Sequence, residues 1–268
     1  MNIIKIEKKS GGTRTIYVPD RKEKRKYRKL IPKLNPLLEQ ICRPLPCHGF
    51  MPNRSPVTNA QAHVGYRWSL SFDLKDFFDT VGKEHLKGVV PDKMIEKVLY
   101  EGAARQGLPT SPLVANLAAA AMDRAIIARL LPMQHVPKPD GELSLKGVTY
   151  TRYADDLTFS SNDRSPLDAI KEWLPSVVTA HKFVLNAKKT RLQWSGFGRR
   201  VITGVAVDDK GIYPTRSVRR RLRAALHQGN KEEAVGLAEW CKLKPPGLLS
   251  NRQKRRDANA VKRAIMRM

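Results

Sequence analysis

The sequence predicts an α+β fold in which an antiparallel sheet packs on helices and a short basic helical region follows. Three observations carry that expectation. Alternating Tyr, Thr, Val and Phe on either side of Ala154-Asp155-Asp156 form two short strands joined by a hairpin with the acids at its tip. Trp68 to Asp73 is a further apolar strand that runs out at an acid. Between these, Lys93 to Ala104 places Met94, Ile95, Val98 and Leu99 at helical spacing, and Leu113 to Leu131 is an Ala-rich amphipathic helix able to approach the sheet closely.

The remaining elements follow in chain order. Thr13 to Val18 is a strand, and Arg21 to Cys42 a basic helix that must bend at Pro32 and Pro36. Pro44 to Pro56 is rich in Pro, Gly and Asn and forms a loop, and Gln134 to Lys146 is a polar connection. A helix near Leu167 to Lys182, strands near Thr190 to Trp194 and Val201 to Val207, and a basic helical stretch beyond Pro214 complete the chain.

Composition points to a polyanionic partner. Lys and Arg number 50 against 25 acids, a formal charge of +25 over 268 residues, of which 41% are hydrophobic. The charge is clustered over 21–29, 216–223 and 252–267. A charge run is commonly a solvated helix face, but the arginines of 216–223 lack acidic neighbours in sequence and suit phosphate contact. Cys42, Cys47 and Cys241 are odd in number, which speaks against a disulfide framework, and Cys42, Cys47 and His48 lack a fourth zinc ligand. With neither an apolar leader nor an apolar run long enough to span a bilayer, a cytoplasmic protein without membrane contact is expected.

Adjacent acids at a hairpin tip are either a solvated turn or a cation site. Asp73 favours the second if its strand neighbours the hairpin, because three carboxylates suit hard divalent cations. Two such ions support in-line phosphoryl transfer. Asp76 and Asp79 leave the strand and are expected at the surface or as caps.

Tyr153-Ala154-Asp155-Asp156 together with Asp73 resembles the active site of reverse transcriptases. Gln106-Gly107-Leu108-Pro109-Thr110-Ser111-Pro112, then Asn116 and a helix reaching Asp123, is similar to the segment between that family's acidic motifs. Asn186-Ala187-Lys188-Lys189-Thr190 resembles its later Lys-Thr motif, and Gly12 to Pro19 the strand that holds the incoming triphosphate. Asn59-Ala60-Gln61-Ala62-His63 and Ile202-Thr203-Gly204 resemble signatures of the bacterial retron enzymes, with Ile in place of Val in the second.

The resemblance implies a right-hand polymerase fold with fingers over 1–66, a palm over 67–207 into which finger elements near 80–112 are inserted, and a basic thumb over 208–268. It implies that Asp73, Asp155 and Asp156, with the Leu74 carbonyl, hold two Mg²⁺, for which Mn²⁺ can substitute. Arg14 would pair with the triphosphate and Gln106 with the nucleotide. Phe78 would be the steric gate against ribonucleotides, or else palm core. Lys189, or Lys188 beside it, would protonate pyrophosphate. Asn59 and His63 are assigned to RNA or DNA contact, with a core histidine as the competing reading of His63, and Arg216, Arg219, Arg220 and Arg223 to phosphate contact.

The activity so implied is RNA-directed DNA synthesis from dNTPs. A cognate structured non-coding RNA would serve as template and 2′-hydroxyl primer, giving a branched RNA–DNA hybrid used with a separate effector protein in phage defence. Some fifty residues follow Pro214, too few for an RNase H domain, so a host ribonuclease H is expected as partner. Two other readings stay open: a group II intron or diversity-generating reverse transcriptase, and a non-catalytic RNA-binding scaffold.

Overall fold

The computed structural model describes residues 1–7, 11–131, 136–137, 143–144 and 147–244. The expected connection over 134–146 lies mostly outside them, and the basic run over 252–267 wholly outside.

The chain begins with an antiparallel hairpin of β1 (Asn2–Glu7) and β2 (Thr13–Val18), in which Ile6 faces Arg14. Every position of β1 is exposed, so no alternation marks it in the sequence. Arg21 to Cys42 forms two helices instead of one bent helix, α1 (Arg21–Arg28) and α2 (Ile31–Cys42). An Asp20–Glu23 capping box starts α1, and Pro32 sits in the first turn of α2, where its missing N–H is no loss.

α3 (Pro56–Gln61) is capped by Ser55 and leads to β3 (Trp68–Asp73). Three short helices follow: α4 (Phe77–Thr80), α5 (Lys83–Leu86) and α6 (Asp92–Val98). The helix expected to reach Ala104 stops at Val98, because Leu99 is extended and Glu101 and Gly102 both take positive φ in a tight turn. α7 (Ser111–Leu130) buries residues all round and is not amphipathic: α2, α4, α5 and α8 (Ser165–Ala180) all contact it.

After the two-residue strands β4 (Val136–Pro137) and β5 (Leu143–Ser144) come β6 (Thr149–Tyr153), β7 (Asp156–Ser161) and, beyond α8, β8 (Arg191–Trp194). With β3 they form one antiparallel sheet in the order β6-β7-β3-β8. Register gives each face a character. Tyr150, Phe159, Leu70 and Leu192 form one row on the side of the main core, whereas Thr149, Ser160, Ser69 and Gln193 form a hydroxyl-rich row on the other.

The strand expected over 201–207 is a hairpin, β9 (Arg200–Ile202) and β10 (Val205–Val207), turning through Thr203 (φ 46°) and Gly204 (φ 79°). β11 (Ile212–Pro214) completes this small sheet, and α9 (Arg216–His227) and α10 (Lys231–Cys241) follow. A second core of Val57, Ala60, Ile202, Val205, Val207 and Leu243, with Trp240 against it, joins α3 to β9 and β10.

Candidate active site

Antiparallel pairing sets Asp73, the last residue of β3, directly opposite Asp156, the first of β7. Asp155 occupies the intervening turn with Ala154, whose φ of +55° is uncommon for a non-glycine residue. The Leu74 N–H donates to the Asp155 carbonyl at 2.9 Å, tying the end of β3 to the turn. Three carboxylates therefore meet at one end of the sheet, as the sequence predicts.

Their environments differ. Lys189 Nζ donates to Asp73 Oδ2 at 2.7 Å and Asn186 Nδ2 to Asp73 Oδ1 at 3.3 Å, while the Asn186 N–H bonds the Asp73 carbonyl at 2.8 Å. Asp155 and Asp156 have no ion-pair partner among the described residues. Burial, and then the neighbouring Asp73, raises the Asp155 carboxyl above the usual range. Burial, and then the Asp155 and Asp73 charges, pushes Asp156 up to about 7. No group of three or more His, Cys, Asp or Glu side chains is already arranged as a metal cage among the described residues.

A cleft of about 1220 Å³ opens over these acids, and its walls include Arg14, Phe78, Gln106 and Lys189 together with Leu74. Arg14 projects from β2, and its charge is felt at Asp155. The Gln106 carbonyl accepts from the Tyr17 N–H at 2.8 Å, docking that turn on β2; a Cβ at Gly107 (φ +108°) would overlap the Tyr17 carbonyl. Phe78 is half-buried, with its ring 6.0 Å from Phe50 and 5.7 Å from Phe77. Phe77, not Phe78, is the residue committed to the core. Asp76 starts α4 and Asp79 pairs with Arg105 at 3.1 Å, the surface roles expected of them. A second opening, bordered by the same acids, reaches Arg191 and the Ile202-Thr203-Gly204 turn.

Two expected nucleic-acid contacts are corrected. Asn59 and His63 are wholly buried and cannot touch RNA or DNA directly. The two ring nitrogens of His63 meet Ser160 Oγ at 2.8 Å and Thr151 Oγ1 at 2.7 Å on the polar sheet face, and burial pushes the imidazole down to about 3. Asn59 Nδ2 donates to Thr203 Oγ1 at 3.3 Å, so the two short signatures clasp each other within the protein. Arg200 extends this clasp to Ser69 Oγ (2.7 Å) and the His63 carbonyl (2.9 Å). By contrast Arg216, Arg219, Arg220 and Arg223 are exposed on α9, while Val218, Leu222, Ala225 and Leu226 turn inward.

Sequence reasoning gave no role to Asn186 or to Arg152. Arg152 alternates with Tyr150 along β6 and so falls on the buried face, a position at which the period-2 pattern could have signalled it.

Carboxylates on a turn and at the strand ends of an antiparallel sheet, beneath a cleft walled in part by the β1–β2 hairpin, define the right-hand fold of nucleic-acid polymerases. Solved structures agree: a Candida albicans telomerase aligns over 99% of this chain and 56% of its own at a TM-score of 0.57 with 12% identity, and a Candida tropicalis telomerase over 76% and 45% at 0.52 with 13% identity. The chain belongs to the reverse transcriptase (RNA-dependent DNA polymerase) family, which matches residues 6–196. Within that family it is similar to retron enzymes: 33% identical to the Retron Mx65 reverse transcriptase of Myxococcus xanthus over 86% of this chain, and 29% identical to the Retron Ec86 reverse transcriptase of Escherichia coli over 89%. It spans 56% of the length of the first and 73% of the second. No helix among the described residues is long and apolar enough to cross a membrane.

Proposed function

We propose that this chain is the RNA-directed DNA polymerase of a retron, with fingers over 1–66, a palm over 67–207 carrying finger elements near 80–112, and a basic thumb over 208–268. The observation that carries this reading is the meeting of Asp73, Asp155 and Asp156 at the floor of a cleft walled by Arg14, Gln106, Phe78 and Lys189. Hard oxygen donors, two of them half-buried and without an ion-pair partner among the described residues, fit a divalent cation, and Mg²⁺ is commonly held by one or two carboxylates plus substrate phosphates. Asp73, Asp155, Asp156 and the Leu74 carbonyl would hold two Mg²⁺, or Mn²⁺ in their place. When bound, the ions lower the pKa of the primer hydroxyl and neutralise the departing pyrophosphate.

The protein's own residues do the rest. Arg14 offers the triphosphate a planar, bidentate donor. Gln106, fixed to β2 through its carbonyl, lies against the sugar and base pair. Phe78 fills the space of a ribose 2′-hydroxyl. Lys189 leaves Asp73 to donate a proton to pyrophosphate. The partner is a structured non-coding RNA that supplies template and a 2′-hydroxyl primer, and the product is a branched RNA–DNA hybrid. A host ribonuclease H removes template, and a separate effector couples the product to phage defence in the cytoplasm.

Converting Asp155 and Asp156 together to Ala tests the reading. Primer extension with Mg²⁺ and dNTPs should vanish, while the thermal midpoint holds or rises because two neighbouring half-buried acids are removed. Extension by the double variant would overturn the assignment.

A further inference from the structure

Beneath the Ala154-Asp155-Asp156 turn lies a buried polar assembly that the proposed chemistry does not use. Arg152 and Asp123 are both wholly buried. Arg152 grips Asp123 with two donors, Nε to Oδ1 at 2.9 Å and Nη2 to Oδ2 at 2.8 Å, and Tyr150 Oη donates a further bond to Oδ1 at 2.7 Å. The remaining guanidinium nitrogen, Nη1, divides itself between Asn116 Oδ1 at 3.0 Å and the Ala154 carbonyl at 3.1 Å. Asn116 in turn donates to the Gly49 carbonyl at 2.7 Å. Gly49 packs against the backbone of the same turn, since a Cβ there would overlap the Ala154 nitrogen.

Ala154 is thus held at its carbonyl and crowded at its nitrogen, and both contacts lead back to Asn116 on α7, the first also to Asp123. Fold stability does not require such an arrangement. Replacing a buried ion pair by apolar side chains of similar volume is often neutral or stabilising, whereas removing one partner strands a charge. What an apolar pair cannot do is bond the Ala154 carbonyl.

We infer that Arg152, clamped by Asp123 and Asn116, is the positioning residue that sets the height and angle of the Asp155–Asp156 turn, with Gly49 as a stop at the Ala154 nitrogen. This rests on the polymerase reading of the site. α7 is then the reference against which the carboxylates are aligned, although it contributes no group to the cleft.

The test is the paired replacement Arg152→Met with Asp123→Leu in the full chain, read three ways: thermal midpoint, Mn²⁺ affinity by electron paramagnetic resonance, and kcat and KM for dTTP on a poly(rA) template primed with oligo(dT). The expected result is a midpoint at or above wild type, Mn²⁺ binding weakened about tenfold, and kcat lowered about a hundredfold with KM little changed, the scale of a roughly 1 Å misplacement. Arg152→Lys, which keeps one donor, should recover part of kcat. A paired variant with wild-type kcat and Mn²⁺ affinity overturns the inference, as does a kcat loss that only tracks the unfolded fraction. Should the paired variant fail to fold, Gly49→Ala, which leaves the ion pair intact, must show the same kcat and Mn²⁺ losses or the inference falls. If the wild-type chain extends no primer, the polymerase reading fails, and the Mn²⁺ arm still decides whether Arg152 places the turn.

Discussion

Lys189 Nζ stands 2.7 Å from Asp73 Oδ2, on the carboxylate that lies opposite Asp156 in the sheet. The contact, first of all, raises the lysine pKa and keeps it cationic. A divalent cation seeking Asp73 must therefore displace an ammonium already in contact with it. Lys189→Met should tighten Mn²⁺ binding in the absence of nucleotide several-fold, because a like charge is gone, while slowing single-nucleotide incorporation. Equilibrium Mn²⁺ titration and rapid-quench kinetics measure the two effects, and unchanged Mn²⁺ affinity would place the lysine's role elsewhere.

Phe78 stands in the cleft wall while its neighbour Phe77 is buried. Phe78→Val should raise ribonucleotide relative to deoxynucleotide incorporation by about tenfold or more, with some loss of overall rate as its packing against Phe50 is lost. The measurement is the ratio of kcat/KM for rNTP and dNTP. An unchanged ratio in an active variant would make this ring a packing residue alone.

Among the described residues, the only ion pair made by an arginine of α9 is that of Arg221 with Glu233, at 2.6 Å. Changing Arg219, Arg220 and Arg223 to Gln should weaken binding of structured RNA and flatten the plot of log K against log salt by about 2, three contacts at roughly 0.7–0.9 each. Extension of an unrelated template at low salt should suffer less. A wild-type salt slope in the triple variant would show these arginines to be a solvated face.

His63 gives a pH prediction. Its folded pKa, near 3, lies below the ordinary histidine value of 6.5, so the unfolded chain binds the proton that the buried ring refuses. The stabilisation is fully present above about pH 6.5 and declines as pH falls toward 3, at up to about 1.4 kcal/mol per unit. Thermal midpoints at pH 5 and pH 7.5 should differ less for His63→Gln than for wild type. Some slope should persist in the variant, because burial also lowers His48, to about 4. Equal slopes in the two proteins would contradict the assignment.

The acids and the cleft residues were legible because their signals are local: strands that alternate, an acid at a strand end, a Gly-containing turn. Other features were hidden for particular reasons. β1 lies wholly exposed and has no period to find. Thr203-Gly204 sits inside a run of β-formers, so a two-residue turn passes for continuous strand. α7 has polar residues, Asn116 and Asp123, that suggest a solvent face, yet both are buried against Arg152. His63 lies in a short signature whose resemblance named its family without showing that the side chain points inward. For the two buried groups the deciding partner is distant in sequence: 29 positions for Arg152 and Asp123, 97 for His63 and Ser160.

The bond between Asn59 and Thr203 spans 144 positions and encloses β3, α7 and the β6–β7 hairpin. That span gives synthesis an order. During translation the hydroxyl face of the sheet can form and receive His63 before Arg200 and the β9–β10 hairpin have emerged, but its cover stays incomplete and α3 has no second core to rest on. Contacts closed late over so long a loop slow folding, since chain entropy is lost before they form. A nascent chain arrested short of Val207 would hold its three carboxylates on an open sheet, polymerase in outline yet without the clasp.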